Sequence, residues 1–349
     1  MAKASVKIPE GKFVKIEVND EEVNVRGDFF LEPPEALQEI EEKLSKLSDA
    51  GKKQVIKELN DLDVEFIGFS PEHIAEAFKQ AIEDTSQEDE SSKKEDSGSE
   101  GLEWRLINEG QYNEAMHHAV DEVLTDRMEE GEIKPTIRFW YRQNPSVPFG
   151  RFQAIEDEVE MDYANKNNIE VVRRVTGGGA MFAEPGNVIT YSIYLPKENV
   201  SEGIEDSYEE LDKFAVEALQ ELGVEASYEP LNDIEHEEGK LGGAAQLRKD
   251  NAVLHHTTIS YDLDTEEMLR VLRIGKEKVS DKAVKSAEQR VSRVSDHIDH
   301  KREEVIEKMI EKFSGGRNVE EEELKQDEVE DAKELVEEKF SNEEWNERL

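Results

Sequence analysis

A segment of seventeen residues without an apolar side chain, DTSQEDESSKKEDSGSE, occupies positions 84–100 of the 349-residue chain. Such a segment cannot bury enough apolar surface to offset the entropy of ordering it, so it predicts a disordered acidic linker. The chain is therefore expected to fold as two units, a small one over residues 1–83 and a large one over residues 101–349.

The small unit combines alternating segments typical of strands with amphipathic segments typical of helices. Strands are predicted at Lys12–Val18 and Glu22–Val25, and helices at about 34–47, 51–59 and 71–82. Ser70 and Pro71 form a favourable N-cap and first-turn pair for the last of these helices. The pattern indicates a compact α+β unit whose length lies near the lower limit for independent folding.

The large unit also mixes strand and helix patterns. An acidic helical extension is expected from about residue 296, with apolar residues at helical spacing up to Phe313 and again over Val329–Phe340. Hairpin-like connections between strands favour an α+β fold over a doubly wound parallel sheet. The other predicted elements are strands at Thr136–Arg142, Ile169–Val172, Val188–Tyr194 and Ala252–Ser260, and helices at Tyr112–Met128 and about 206–222.

The chain is strongly acidic. Its 44 lysine and arginine residues oppose 85 aspartate and glutamate residues, which gives a net charge of −41. This excess disfavours nucleic acid and anionic membranes as partners, because their phosphates would be repelled. Evenly spread acidic charge suits a halophilic, high-salt cytoplasm, and an ordinary acidic mesophilic protein is the alternative. The N-terminus lacks the apolar run of a signal peptide, so a cytoplasmic location is predicted.

Three consecutive glycines lie in RRVTGGGAMF, which runs from Arg173 to Phe182. They cost folding entropy and pack no side chain, so something is expected to approach the main chain closely there. The segment lacks the Gly-Lys-Ser/Thr ending of a P-loop, and Phe182 stands where the dinucleotide-binding fingerprint requires glycine. Its position between two predicted strands indicates a tight turn, and Arg173 and Arg174 favour an anion at its mouth. A purely structural turn is the alternative.

A second glycine-rich stretch follows a lysine in EPLNDIEHEEGKLGGAAQ. Lys240 stands beside Gly242 and Gly243, so a cation adjoins a backbone that a ligand could contact closely. Asn232 and Asp233, a few residues upstream, could hold a metal ion or a sugar hydroxyl. An ordinary turn is the alternative for this stretch taken alone.

Together the two stretches resemble the lipoate–protein ligase family, whose members are adenylate-forming relatives of biotin–protein ligases. The family's Arg-Arg-x-Ser/Thr-Gly-Gly-Gly loop matches residues 173–182, its Asn-Asp pair matches residues 232–233, and its Lys-x-x-Gly-x-Ala segment matches residues 240–245. HHTT at 255–258, VPFGRFQ at 147–153 and the segment 276–294 are similar to further family segments. The resemblance extends over about 101–295 and implies an α+β fold built on a mixed sheet.

The resemblance also implies the residues of the site. Lys240 is expected to be catalytic, and Asp233 is expected to hold Mg²⁺. Arg173 and His256 are further candidates for ligand contact, with a surface salt bridge as the alternative for Arg173 and a structural role as the alternative for His256. The groups expected to bind ATP or the acyl-adenylate are Arg174, Gly177, Gly178, Gly179, Ala180, Met181, Phe182, Asn232 and Asp233.

The implied activity has two steps. ATP activates lipoate or octanoate to an acyl-adenylate, and the acyl group then passes to a lysine of a lipoyl carrier domain. The implied carriers are E2 subunits of 2-oxoacid dehydrogenases and the glycine cleavage H protein. GDFFLEPPEAL in the small unit resembles the accessory domain that lipoate ligases usually carry at the C-terminal end. Residues 1–83 are therefore expected to be an accessory domain, placed before the catalytic domain.

Other functions and one further site stay open. A non-catalytic module that binds lipoyl domains, or a related acyl transferase of the same fold, is compatible with the resemblance, and a biotin ligase is a more distant match. An octanoyltransferase of this fold would use a cysteine nucleophile, and the chain has no cysteine. The family's His-Asp after the glycine loop is Ala183-Glu184 here. His297 and His300, three apart on a predicted helix, could bind a metal ion or face solvent.

Overall fold

A computed structural model describes residues 2–7, 13–19, 22–27, 29–47, 50–82, 102–229, 231–273 and 291–348. The linker predicted over 84–100 and most of the family segment at 276–294 lie outside these residues. The N-terminal unit contains strands β1 (Ala2–Lys7), β2 (Phe13–Asn19), β3 (Glu22–Gly27), β4 (Phe30–Glu32) and β5 (Glu65–Ile67). Its helices are α1 (Ala36–Ser45), α2 (Lys52–Asn60) and α3 (Pro71–Ile82).

Residues 102–348 alternate strands and helices. The strands are β6 (Glu103–Ile107), β7 (Gln111–Tyr112), β8 (Thr136–Arg142), β9 (Ser146–Phe149), β10 (Glu170–Arg173), β11 (Val188–Pro196), β12 (Ser227–Glu229), β13 (Asp233–His236), β14 (Gly239–Arg248), β15 (Ala252–Ser260) and β16 (Asn318–Glu321). The helices are α4 (Glu114–Glu129), α5 (Ile155–Glu158), α6 (Met161–Lys166), α7 (Ile204–Glu221), α8 (Thr265–Val271), α9 (Arg302–Ser314), α10 (Gln326–Leu335) and α11 (Glu343–Asn346). Short 3₁₀ turns cover Lys197–Asn199 and Val294–Asp296, and a π-helical turn covers Val336–Phe340.

The N-terminal unit is an α+β unit with its own apolar core. Strands β1, β2 and β3 form an antiparallel sheet. Alternate residues of β2, such as Val14 and Ile16, are fully buried against Ile40, Leu44 and Phe78 from the helices. The predicted strands and all three predicted helices are present, and α3 begins at the expected proline. Strands β1, β4 and β5 were not predicted.

A mixed sheet organises the large unit. Its strands follow the order β12-β13-β14-β15-β11-β8-β6-β16, and β7 pairs with β8. Neighbours are antiparallel from β12 to β8, whereas β6 pairs in parallel with both β8 and β16. The predicted strands over 136–142 and 252–260 have those bounds in the structure. The architecture confirms the predicted α+β fold class.

The two faces of this sheet have different surroundings because side chains alternate along each strand. Phe139, Tyr191 and Ile193 point into the largest apolar core, which α7 and α9 complete. Trp140, Thr190 and Ser192 from the same two strands lie on the opposite face, where α4 packs against β11 and β15. The second face is the one that carries the candidate site.

The acidic C-terminal helices pack onto α4. Ala332 and Phe340 share an apolar cluster with α4, and Glu328 is buried in a two-pronged ion pair with Arg105, at 2.7 and 2.8 Å. An acidic C-terminal helix would be expected to keep its carboxylates in solvent, but at Glu328 this expectation is wrong. None of the helices in the described ranges has both the length and the apolar character that a membrane span requires.

The glycine triplet does not form the predicted tight turn between paired strands. Strand β10 pairs in parallel with β9 in a separate two-stranded sheet, whereas β11 belongs to the large sheet. The connection over residues 174–187 is a loop that passes from one sheet to the other. We call residues 174–182 the glycine loop.

The N-terminal unit docks on the glycine loop. The backbone N–H of Gly178 donates to the carbonyl of Phe29 at 3.2 Å, and the N–H of Gly27 donates to the carbonyl of Phe152 at 3.1 Å. Phe30 is buried in a small cluster with Ile67 and with four residues of the large unit, Ile204, Tyr208, Ala244 and Ala245. The two units therefore share an apolar contact beside the loop.

Candidate active site

A cavity of about 330 Å³ lies between the large sheet, the glycine loop and α8. Apolar residues line it on the α8 side, among them Leu263, Met268 and Leu272. Polar residues line the part between α4 and the sheet, among them His118 and Thr190. The sequence-predicted residues that line this cavity are Arg174, Gly178, Gly179, Ala180, Met181, Phe182, Asn232, Lys240 and His256.

Strand alternation decides which of the paired histidines faces the cavity. His256, Thr258 and Ser260 on β15 line it. His255 and Thr257 point to the other face, where both contact the buried carboxylate of Asp212, at 2.8 and 2.6 Å. His256 therefore lies at the cavity, and His255 belongs to the core.

Lys240 stands at the start of β14 and lines the cavity with its side chain partly exposed. Its Nζ lies 2.6 Å from Oδ1 of Asp233, which is on the neighbouring strand β13. Glu235, two residues further along β13, is paired in register with Lys240. Burial and the nearby carboxylate of Asp233 raise the pKa of Glu235. One cation and two carboxylates thus meet at this edge of the cavity.

Glycines after Lys240 admit neighbouring groups rather than forming a turn, because the stretch continues as strand β14. A Cβ on Gly243 would lie 2.8 Å from Nζ of Lys240, and a Cβ on Gly242 would lie 2.8 Å from the carbonyl oxygen of Thr258. Asn232 holds the same strand by donating from Nδ2 to the carbonyl of Ala244 at 2.6 Å. The small residues therefore let the lysine side chain lie across the strand.

Arg174 holds the glycine loop from inside. Its guanidinium donates to the carbonyls of Gly177 at 2.7 Å, Gly179 at 2.8 Å and Pro148 at 3.3 Å. In a trans peptide the following N–H points opposite to the carbonyl, so the N–H groups of Gly178 and Ala180 point away from Arg174. Burial lowers the pKa of Arg174 to about 10, which leaves it charged at neutral pH.

The two outward-pointing N–H groups of the loop have different surroundings. That of Gly178 donates to Phe29 of the N-terminal unit. Within the described residues that of Ala180, which lines the cavity, has no acceptor. A Cβ on Gly177 would lie 2.5 Å from the carbonyl oxygen of Phe29. The group that approaches the glycines closely in this structure is thus the N-terminal unit.

Arg173 does not line the cavity. Its side chain is fully buried and donates to the carbonyls of Gly150, Arg151, Gln153, Trp345 and Asn346. Arg173 therefore ties the loop before α5 to the C-terminal segment. The expectation of ligand contact at Arg173 is wrong for this structure, and so is a surface salt bridge, since the residue is buried.

A buried hydrogen-bond network closes the polar end of the cavity. Nδ1 of His256 donates to Oδ2 of Asp121 at 2.9 Å, and its Nε2 accepts from the hydroxyl of Thr176 at 2.8 Å. This tautomer follows because a carboxylate can only accept. Arg138 pairs with the other carboxylate oxygen of Asp121 at 2.7 Å. The network connects α4, the sheet and the glycine loop.

Burial and pairing set the charges in this network. Burial lowers the pKa of His256 to about 4, although the hydrogen bond to Asp121 opposes the shift, so the ring is neutral at pH 7. Burial alone would raise the pKa of Asp121, but the bond to His256 and the charge of Arg138 hold it well below its usual range. The charged pair is therefore Asp121 with Arg138.

The same arrangement of segments occurs in known proteins. A family model described as the lipoyl protein ligase A/B catalytic domain matches residues 113–314. The chain belongs to this family. The match begins at the N-cap of α4 and ends with α9, so it contains every segment that lines the cavity. The N-terminal unit, α10 and α11 lie outside it.

Two solved structures and one curated protein are similar to this ligase-family chain. A structure titled as a bi-partite lipoate protein ligase and its E2 lipoyl domain from Thermoplasma acidophilum is 33% identical, with a TM-score of 0.64 over 70% of this chain and 96% of that one. A crystal structure of lipoate-protein ligase A bound with ATP is 31% identical, with a TM-score of 0.62 over 70% and 98%. The octanoyltransferase LipM of Clostridioides difficile is 29% identical over 279 residues, which is 70% of this chain and 99% of its own.

Sequence reasoning missed the buried polar residues of this ligase-family site. His118 and Asp121 on α4 and Arg138 on β8 are almost fully buried. The sequence contained a usable signal, because HHAVDEV places polar side chains among the apolar positions of an otherwise amphipathic helix. A polar residue on the buried face of a helix requires a buried partner. Its partner here, His256, is distant in sequence.

Proposed function

We propose that this chain uses ATP to activate lipoate or octanoate as an acyl-adenylate and then transfers the acyl group to a lysine of a lipoyl carrier domain. The observation that carries the proposal is the cavity itself. It places Lys240 and the glycine loop at one ligand-sized space with an apolar side. The similarity to an ATP-bound lipoate-protein ligase supports ATP as the second substrate.

The first step brings two anions together, because a carboxylate attacks the α-phosphorus of ATP and pyrophosphate leaves. Positioning and charge stabilisation supply most of the catalysis of such a transfer. Among the cations that line the cavity, Arg142 and Arg174 are buried, whereas the Lys240 side chain is 41% exposed and pairs with Asp233. The N–H of Ala180 is a further donor for an oxygen of the adenylate. Arg174 contributes by holding the loop, since its guanidinium already binds three carbonyl groups.

The residues present fit Mg²⁺ bound together with ATP. Magnesium in nucleotide sites is held by one or two carboxylates, and substrate phosphates supply further oxygens. Asp233 and Glu235 are two apart on β13, beside Lys240, and provide such carboxylates. When bound, the ion would offset part of the negative charge of the phosphates.

In the second step the ε-amine of the carrier lysine attacks the acyl carbon, loses a proton and expels AMP. We assign the carrier as a lipoyl domain because a similar ligase is described together with its E2 lipoyl domain. Residues 1–83 are assigned as an accessory unit. The contact of Phe29 with Gly178 supports this role, because it joins that unit to the loop at the cavity.

An octanoyltransferase is the alternative function that a specific observation supports, because the chain is similar to LipM over nearly the whole length of LipM. An octanoyltransferase of this fold is expected to hold the acyl group on a cysteine. This chain contains no cysteine. The adenylate route needs no protein nucleophile, and we favour it for that reason.

Acid-dependent exchange of pyrophosphate into ATP tests the proposal. The purified chain is assayed in high salt with lipoate, octanoate and biotin, and a lipoyl domain is then added and weighed by mass spectrometry. We expect exchange with lipoate or octanoate, none with biotin, and an acylated domain. Binding to the lipoyl domain without any exchange would identify a non-catalytic module and overturn the proposal.

A further inference from the structure

Two histidines that are far apart in sequence meet beside the cavity. His236 ends strand β13, and His297 follows the 3₁₀ turn Val294–Asp296. Their ring centroids lie 3.9 Å apart, with 34° between the ring planes. Both side chains are partly exposed. The sequence had suggested His300 as the partner of His297 on a shared helix, which is wrong, because the chain is not helical from 297 to 300.

A carboxylate completes the group. Glu238 lies in the turn between β13 and β14 and is exposed. One ligand atom from each of His236, Glu238 and His297 can be chosen so that all three lie within 4.8 Å of one another. The ring of His297 is oriented by a hydrogen bond between its Nε2 and Oγ of Ser292 at 2.7 Å.

Two imidazoles and one carboxylate form a set of metal ligands that favours some divalent ions over others. Imidazole suits Zn²⁺, Co²⁺ and Ni²⁺, whereas Mg²⁺ and Ca²⁺ prefer sites made of oxygen. Two histidines with one glutamate bind Zn²⁺ in known proteins and leave a position for water. Glu235 and Glu237 add negative charge to the same hairpin.

We propose that His236, Glu238 and His297 form a binding site for a divalent transition metal ion, with Zn²⁺ as the expected ion. The site is separate from the carboxylates assigned to Mg²⁺ and does not depend on the proposed ligase activity. A bound ion would join the tip of the β13–β14 hairpin to residues 292–297.

The segment that the ion would join to the hairpin, residues 292–297, lies next to Lys240. The N–H of Ser292 donates to the carbonyl of Lys240 at 2.9 Å, and Val291 forms a β-bridge with Lys240. Ser292 also orients His297. Metal binding would therefore fix the segment that borders Lys240, and we expect it to raise the melting temperature of the whole chain.

A second group of metal-binding side chains is better explained without an ion. His118, Asp121 and His256 also satisfy the distance condition. Arg138 already pairs with Asp121 at 2.7 Å, and Arg142 lines the same end of the cavity. A cation there would face two guanidinium groups, so we treat these residues as a hydrogen-bond network.

Cobalt titration of the full chain without nucleotide tests the site, because Co²⁺ absorbs visible light and ATP would compete for it. We expect one equivalent to bind, to be displaced by Zn²⁺, and to raise the melting temperature. His236→Ala and His297→Ala should each weaken Co²⁺ binding by at least about tenfold, since even the loss of a residue that only supports a ligand costs about that much. His300→Ala is the matched control, because its ring faces Glu304 at 3.8 Å instead.

A folding control and two possible results decide whether the proposed metal site exists. Near-UV circular dichroism verifies that each variant is folded, and His236→Gln and His297→Gln replace any alanine variant that is not. Absence of Co²⁺ binding to the unmodified chain would overturn the proposal. Binding that is equally tight in the His236, His297 and His300 variants would place the ion elsewhere and overturn it as well.

Discussion

Replacing Lys240 with alanine should abolish adenylate formation while the protein stays folded. The structural cost is small, because the lysine and Asp233 keep 41% and 29% of their side chains exposed. Exposed ion pairs of this kind contribute about 0–1 kcal/mol to stability. The catalytic cost is larger, since a charge-assisted contact with the reacting phosphate is worth on the order of 10²–10³ in rate.

Lys249 provides a matched control for this substitution. It follows the same strand β14 and pairs with Asp126, with 33% and 51% of the two side chains exposed. Lys249 does not line the cavity. Lys249→Ala therefore removes a similar ion pair and the same side-chain volume, and it should leave exchange activity within about twofold, because it removes no contact made in the transition state.

Pyrophosphate exchange and thermal unfolding are measured side by side for both variants in the same high salt. We expect equal melting temperatures for Lys240→Ala and Lys249→Ala, and an exchange rate that falls only in the first. Exchange in folded Lys240→Ala that stays near the unmodified rate would refute the assignment of the lysine to phosphate chemistry. Equal losses in both variants would show that general electrostatics, rather than contact, explains the effect.

Two further predictions address the N-terminal unit and the buried histidine. Phe30→Ala removes a side chain that is 3% exposed, and loss of a buried phenylalanine costs about 3–5 kcal/mol. Phe30→Ala should lower exchange activity because it undocks the N-terminal unit. Phe66→Ala removes a contact with Phe69 inside that unit and should leave exchange activity unchanged. Equal losses of activity in the two variants would contradict the prediction. The pKa of His256 is about 4 in the folded chain and about 6.5 in the unfolded chain. Between these two pH values only the unfolded chain protonates this histidine. The free energy of unfolding should therefore fall by on the order of 3 kcal/mol as the pH falls from about 6.5 to 4. Urea titrations of the unmodified chain and of His256→Gln test this, and an identical pH dependence would contradict it.

Local patterns were sufficient for elements whose burial follows a simple period. Thr136–Arg142 and Ala252–Ser260 were predicted with the observed bounds because each alternates between an apolar core and a second face. The strand that carries Lys240 was not predicted, since glycines have low strand propensity and normally indicate turns. It forms because β15 and β13 pair with it on both sides.

Candidate site residues were predictable where the chemistry is local, and not where it depends on tertiary contacts. The motif around Lys240 and the glycine loop contributed eight of the nine predicted residues that line the cavity, and His256 on β15 is the ninth. Asp121 and His256 are 135 positions apart in the sequence. The spacing of apolar residues predicts helices and strands, but it does not predict which strand packs against α4. Arg174 lines the cavity and its neighbour Arg173 does not. Arg173 is the last residue of β10 and Arg174 the first of the glycine loop, so the two side chains have different surroundings.

Two outward-facing N–H groups of the glycine loop connect docking of the N-terminal unit with ligand binding. Arg174 draws the carbonyls of Gly177 and Gly179 inward, so the next N–H groups face outward. The N–H of Gly178 is bonded to Phe29, whereas that of Ala180, a residue that lines the cavity, has no acceptor among the described residues. A ligand that binds Ala180 and a unit that binds Gly178 therefore act on two peptides of the same loop, with a single peptide between them. Any effect of docking on adenylate affinity must then be matched by an equal effect of the adenylate on docking.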